Sequence, residues 1–408
     1  MAIKPYYKLL SILYIFTIFT VLLGQLGSIP VGGSIGIYAS DIAVSLLVVV
    51  WIGSLRAHNF KRMFMLHEVL LFMFLAVALV SLINSMVSVS SDIFIVGVSY
   101  WARLVFYSLL LPIGYDIWKF TKKDHFWSLA LAVTAFGVLG ILQFLLFPDF
   151  SQFVEHGWDP HYYRVLSTFF DPNFAGLWLS FGVLFVLDRW YTASNTRLQK
   201  NIIYLFVSIL LIALVLTFSR STYLAFGIGL TVFSFIRDKR ILIVMGIFGL
   251  LAFTFIPRVQ TRIIGALTID ETASYRIDDY QKTLGIVVDH PLLGVGYNTF
   301  RNAQFEYGYF RNGRGVNDDG GHAGAGADNS FLFTLATMGI VGLLSLLIFG
   351  LSLFSAVKKS SQNAYLLSSL VAFIIHAQFV NSLYYTWMLA WFLGTTGLYL
   401  KISTYHEA

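Results

Sequence analysis

Apolar residues in this chain form long continuous runs instead of alternating or helically spaced patches. Twelve runs approach the length of a membrane crossing: 9–26, 35–53, 64–83, 93–115, 126–147, 173–187, 201–217, 221–236, 240–256, 330–357, 364–382 and 384–400. A spanning helix needs about 20 mainly apolar residues, whereas a transmembrane strand alternates over about ten. The pattern predicts an all-α polytopic membrane protein of about twelve transmembrane helices. The first 26 residues, with Lys4 and Lys8 ahead of an apolar run, have the look of a signal peptide. No Ala-x-Ala site follows and many more runs do, so this stretch is read as a retained first span.

The apolar pattern is interrupted at length once. Between Pro257 and Asn329, after the ninth run, charged residues, glycine, asparagine and aromatics collect. Loops this long are usually functional or disordered. Tyr275, Tyr280, Tyr297, Phe300, Phe305, Tyr307, Tyr309 and Phe310 make this one too aromatic for a disordered linker. The spacing of Ile277, Tyr280, Leu284 and Val287 puts an amphipathic helix within it. Segment 257–329 is therefore read as an ordered, partly helical loop that carries the chemistry of a single integral membrane domain covering 1–408.

Composition agrees. Of 408 residues, 57% are hydrophobic and 12% charged, against roughly 25% charged in a soluble domain. The net charge of +6 is no nucleic-acid signal, because Lys and Arg sit in short loops between apolar runs. There is no cysteine, hence no disulfide framework and no thiolate chemistry. Charge placement orients the chain. With the N-terminus inside, seventeen Lys and Arg fall in cytoplasmic segments, and the short outer loops hold only Arg164 and Arg220. The loop 257–329 then faces the periplasm or exterior.

Arginines that escape this bias call for another explanation. Arg164 precedes Asp171-Pro172-Asn173, which reads as a helix start with Asp as cap and Pro in the first turn. Arg220 lies in a tight outer turn with Ser219, Ser221 and Thr222, whose hydroxyls can cap the next helix. Arg276 sits on the amphipathic helix, which ends near His290-Pro291. Asp328 and Asn329 stand where the tenth run begins, and His322 lies upstream on a Gly-rich stretch. For each arginine a plain interfacial anchor or surface ion pair is the competing reading, and for Asp328 and Asn329 a simple helix cap. Arg103 is different: a charge inside the fourth run needs a partner such as Asp41, or a water-filled cavity that it lines. Three outer arginines, a carboxylate and a histidine suit one task, holding a diphosphate while a base takes a proton from an incoming hydroxyl. No zinc-ligand spacing, P-loop or Rossmann glycine pattern is present, so neither a metal nor a nucleotide cofactor is expected.

At these stretches the chain resembles the O-antigen ligase / O-antigen polymerase family of multispanning glycosyltransferases. The resemblance rests on Arg164 with Ser167-Thr-Phe and Pro172-Asn173, then Ser219-Arg-Ser221, then Arg276 leading to His290-Pro-Leu-Leu-Gly-Val-Gly296. It ends with Asp328-Asn329, nine residues, Gly339 and Gly342, so the matching region runs over 164–342. The resemblance implies a polyprenyl-diphosphate-linked oligosaccharide as donor and a glycan or glycolipid hydroxyl as acceptor. The reaction would occur at the outer face of the bacterial inner membrane, in lipopolysaccharide or other envelope polysaccharide synthesis, with no cofactor, metal or nucleic acid. It further implies that Arg164, Arg220 and Arg276 bind the diphosphate; Asn173 and Asn329 are possible lining residues, as is Arg103 from its place inside the fourth run. In the ligases the last motif begins with an acceptor-activating His. Here Asp328 holds that position, so Asp328 is the expected base with His322 as second candidate, and ligase and polymerase roles both stay open. A transporter or flippase of lipid-linked glycan is the alternative, since about twelve spans are also common among carriers.

Overall fold

The computed structural model describes residues 3–30, 36–57, 62–267, 271–309, 326–360 and 363–400. The protein is all-α and 80% helical. Its helices are α1 (Ile3–Val21), α2 (Ala39–Ala57), α3 (Leu66–Asn84), α4 (Ser91–Ser108), α5 (Leu110–Thr121), α6 (Phe126–Leu146), α7 (Pro172–Thr192) and α8 (Arg197–Leu216). There follow α9 (Arg220–Ile236), α10 (Arg240–Phe255), α11 (Pro257–Leu267), α12 (Glu271–Asp289), α13 (Phe300–Glu306), α14 (Ser330–Lys358), α15 (Asn363–His376) and α16 (Thr386–Tyr399). A two-stranded antiparallel pair of Ser28–Pro30 with Gly36–Tyr38, three residues in each strand, is the single sheet among the described residues.

Each apolar run of the sequence falls on a helix, yet the helices do not all meet the requirements of a crossing. Among the described residues six are long and apolar enough, or seven if the bent pair α10–α11 counts as one span. Two of the helices that fall short, the 14-residue α16 and α7, are also enclosed by protein. In α16 every residue from Trp387 to Leu398 is buried, and α7 is almost as fully enclosed. These helices are wrapped by the others, so apolarity on all faces serves a protein core as well as lipid. Trp178 of α7 and Trp391 of α16 pack with ring centroids 5.0 Å apart and are fully enclosed. Small residues let α5 approach α16: a methyl on Gly397 would lie 2.2 Å from the Leu111 carbonyl.

The connections sort into two groups at opposite ends of the bundle. At one end buried charges are paired. Arg62 bridges Glu68 at 2.6 Å and Asp116 at 2.9 Å, and Arg237 holds Asp188 at 2.8 Å. At the other end lie the 147–171 segment, the α8–α9 turn, α11, α12 and the start of α14. Caps fix these starts as their sequence requires. Asp171 accepts from Asn173 and Phe174 N–H with Pro172 in the first turn, and Ser219 accepts from Thr222 N–H.

One helix is broken, and its break explains the glycine motif. At Gly339, φ is +61° and ψ is −165°, a conformation essentially reserved for glycine. The carbonyls freed by the break accept from the 290–296 segment, which lies across it as a strap. Val295 N–H donates to Ala336 O at 2.9 Å and Gly296 N–H to Thr337 O at 3.0 Å. In return Ile340 N–H donates to Pro291 O at 2.9 Å, and Ser81 of α3 hydrogen-bonds Leu293 O at 2.9 Å. A backbone interruption at membrane depth is tolerated where protein satisfies it in this way. A Cβ on Gly339 would lie 2.1 Å from Leu292 O. We expect Gly339→Ala to lose most of its folded protein in membranes, by quantitative immunoblot and thermal stability in detergent. Gly350→Ala, where the added Cβ meets nothing within 4 Å, should leave both unchanged.

Candidate functional site

The site is built where two irregular segments cross. Val165 N–H bonds Leu216 O at 2.9 Å, tying the segment before α7 to the α8–α9 turn. Tyr163, Ser167, Phe170 and Phe218 all take left-handed backbone conformations there, which side-chain-bearing residues rarely adopt. Asn173 then joins the starts of α7 and α9: its side-chain carbonyl accepts from Ser219 Oγ at 2.6 Å, and its backbone carbonyl from Thr222 Oγ1 at 3.3 Å.

Arginines converge on this corner from three elements. Arg164 donates from Nε to Thr217 O at 2.9 Å and from Nη2 to Phe218 O at 3.4 Å. Arg220, the first residue of α9, reaches Gly265 O of α11 at 2.6 Å. Helix α11 turns 104° from α10 at Pro257 and brings two more. Arg258 donates to Tyr163 O at 2.5 Å and Tyr162 O at 2.7 Å and stacks over Phe218 at 4.7 Å. Arg262, one turn on, lies within electrostatic reach of both Arg164 and Arg258. Burial, and then the neighbouring Arg262 charge, push Arg164 down to about 9; it is still a cation at neutral pH. His161 is pushed down to about 3 by burial and then by Arg164, Arg262 and Arg258, which keeps its ring neutral. A cluster of guanidinium groups with strong mutual repulsion favours a polyanionic ligand.

A carboxylate group lies on the neighbouring rim. Arg276 of α12 approaches Asp328 with Nε 3.6 Å from Oδ2. The Asp328 N–H donates to Asp279 Oδ2 at 2.9 Å, and the Tyr280 hydroxyl donates to Asp328 O at 3.2 Å and Gln378 O at 2.5 Å. The helix cap is not Asp328. Asn329 caps α14, accepting from Phe331 N–H at 2.8 Å and Leu332 N–H at 3.1 Å, and its amide donates to Gln378 O at 3.1 Å. The Asp328 carboxyl is thus left for other work. Just over half of its side chain is open (53%), but protein crowds it on the remaining sides. That desolvation raises its pKa to about 6 against the pull of Arg276, with Asp279 and Asp159 adding to the rise. Asp171 is likewise raised to about 6, first by burial, with Asp159 contributing. Asp159 therefore lies in the field of both carboxylates and links the arginine corner to the Asp328 rim.

The sequence candidates divide accordingly. Arg164 and Arg220 stand together at the corner, while Arg276 is engaged with Asp328. Asn173 is a joint between helices, and Asn329 is a cap. Arg103 pairs with Asp41 at 2.8 Å, donates to Gly36 O at 2.5 Å and stacks on Tyr38 and Tyr100, a local brace between α2 and α4. His322 lies outside the described residues. Sequence reasoning passed over Arg258, Arg262, Asp159 and His161. The signal was available for the first two: they are four residues apart after a proline, on one face of an amphipathic stretch. Among the described residues no three metal-ligating side chains come together.

These features describe an all-α protein with, among the described residues, six apolar helices long enough to cross a membrane, or seven with the bent pair, and a cationic, carboxylate-flanked corner at one end of its bundle. Residues 205–347 match the family model described as O-Antigen ligase, which supports the resemblance to the O-antigen ligase / polymerase family. No curated protein matches it. The matched stretch contains Arg220, Arg258, Arg262, Arg276, Asp328 and the Gly339 break, whereas Arg164 and Asn173 lie before it. The match supports O-antigen ligase-type function in envelope polysaccharide biosynthesis at the inner membrane, with a lipid-linked glycan donor and a glycan acceptor in general terms.

Proposed function

We propose that the protein transfers a glycan from a polyprenyl diphosphate to an acceptor hydroxyl at the outer face of the membrane. The observation that carries this reading is the guanidinium cluster of Arg164, Arg258 and Arg262 beside Arg220, flanked by a carboxyl poised near neutrality. The acceptor oxygen forms a bond to the anomeric carbon as the bond from that carbon to the diphosphate oxygen breaks. Asp328 receives the acceptor proton, and the departing diphosphate carries the electron pair into the arginine corner. Guanidinium donors aimed at developing charge in a water-poor site are an effective device for such a step. The energy comes from the diphosphate leaving group, so the chemistry calls for neither nucleotide nor metal.

In this reading Arg276 is a positioning residue for Asp328 and the other arginines hold the donor. Arg276 lowers the Asp328 pKa from where burial alone would put it. Arg276→Gln should therefore move the acid limb of the pH–rate profile to higher pH and recover much of its rate above that limb. A uniform loss at every pH would instead place Arg276 on the donor.

The twelve-crossing topology with 257–329 outside remains the reading of the charge pattern. Because the chain has no cysteine, Asn302→Cys and Lys123→Cys provide a clean test. Impermeant maleimide applied to intact cells should label the first and spare the second. Labelling of Lys123→Cys alone inverts the orientation.

A further inference from the structure

A cleft lies at the same end of the bundle, away from the arginines. It has a volume of about 150 Å³, the size of cavity that admits one six-membered ring. Its walls come from the turn after α3, the strap at 290–296 and α13. The lining is mixed and holds no Lys or Arg: apolar surface from Val89, Val295 and Ala303 lies beside the polar groups of Asn84, Ser88, His290, Asn302, Glu306 and Tyr307. Asn302 donates to Glu306 at 2.8 Å, leaving its carbonyl oxygen to accept, and the Tyr307 hydroxyl donates to Asp289 at 2.7 Å, leaving its ring edge and oxygen available. The Asn84 amide and the exposed His290 ring have no hydrogen-bond partner among the described residues. Such a lining repels a phosphate through Glu306 and Asp289. Side-chain amides, a carboxylate, hydroxyls and one aromatic ring are instead the groups that meet the hydroxyls and C–H face of a pyranose.

We propose that this cleft is a remote glycan subsite, holding one sugar of the chain while the reacting end lies at Asp328. The inference rests on the transferase reading above and adds a length requirement to it. Arg276 stands in the first third of α12 and His290 just past its end, about 21 Å apart by the rise of an α-helix. A glycan must span several sugars to fill both places, so short chains cannot use the cleft and long ones can.

The test uses the full-length protein in nanodiscs. Oligosaccharides are released by mild acid from the host's own lipid-linked pool and sorted by length. Binding is read by saturation-transfer NMR, and transfer by the rate with lipid-linked donors from the same length fractions. For Asn302→Ala and Asn84→Ala, we expect KM for long donors to rise about tenfold, the effect of losing one well-made hydrogen bond, with short donors unchanged. Free long oligosaccharide should lose contact with the protein in the same variants, and Asp328→Asn should retain it. Equal effects on long and short donors, or wild-type values throughout, would overturn the subsite. If the wild type transfers nothing, the transferase reading falls, and the NMR comparison alone decides the cleft: retained contact in both cleft variants refutes it.

Discussion

Asp328→Asn should abolish transfer while leaving the protein folded. A positioned general base contributes roughly 10²–10⁴-fold, and Asn cannot take the acceptor proton. The substitution spares α14, whose cap is the neighbouring Asn329. The same residue sets the pH dependence. Only the ionised carboxylate is a base, so the wild-type rate should climb with pH through about 6 and level off above it. The sign for stability is opposite. A folded pKa of about 6, above the ordinary value of 3.8, means that ionised Asp328 opposes folding. Its contribution to stability is fully present below the unfolded pKa and is lost as pH rises through about 6. At pH 8 the Asn variant should therefore melt no lower than the wild type while its activity is gone. Full activity in Asp328→Asn would remove this residue from the chemistry and turn attention to His322. A lower melting temperature would mark it as a structural residue.

The second large effect is expected at Arg262. If the corner of Arg164, Arg220, Arg258 and Arg262 grips a diphosphate with forked donors, lysine is a poor replacement despite its charge. Loss of one donor to a developing oxyanion costs about 10²–10³-fold, and Arg262→Lys should lose transfer on that scale. Inhibition by added inorganic pyrophosphate should weaken in parallel, which separates ligand binding from a defect in folding. Arg164→Lys should be at least as severe, because its guanidinium also secures the Thr217 and Phe218 carbonyls. Normal inhibition and transfer in Arg262→Lys would return it to the role of an interfacial anchor on an amphipathic helix.

Much of this architecture is legible without coordinates, because lipid-facing and core-facing helices both demand continuous apolar runs. The same fact hides which helices face lipid. Nothing in the runs at 173–187 and 384–400 distinguishes α7 and α16, enclosed by protein, from a helix such as α10, none of whose residues is buried. The caps at Asp171 and Ser219 follow from local chemistry and are readable. The choice between Asp328 and Asn329 as cap is not, since both side chains suit the role and backbone geometry decides it. In the sequence Gly339 and Gly342 point to close helix packing, and His290–Gly296 to the end of a helix. Their actual use, exchanging backbone hydrogen bonds across a broken helix, depends on two segments more than forty residues apart. Arg258 and Arg262 were visible as outer arginines, but only the bend at Pro257 brings them back over the corner that Arg164 and Arg220 occupy.

The most direct test of the central claim is a transfer assay with the purified protein in proteoliposomes. It is given a radiolabelled polyprenyl-diphosphate oligosaccharide from its own host, an acceptor glycan fraction and a chelator, and no nucleotide. The account predicts labelled glycan joined to the acceptor with equimolar release of polyprenyl diphosphate, and none of either in Asp328→Asn. Intact donor carried across the bilayer with its glycan still attached, equally well in both proteins, would contradict it and identify a transporter.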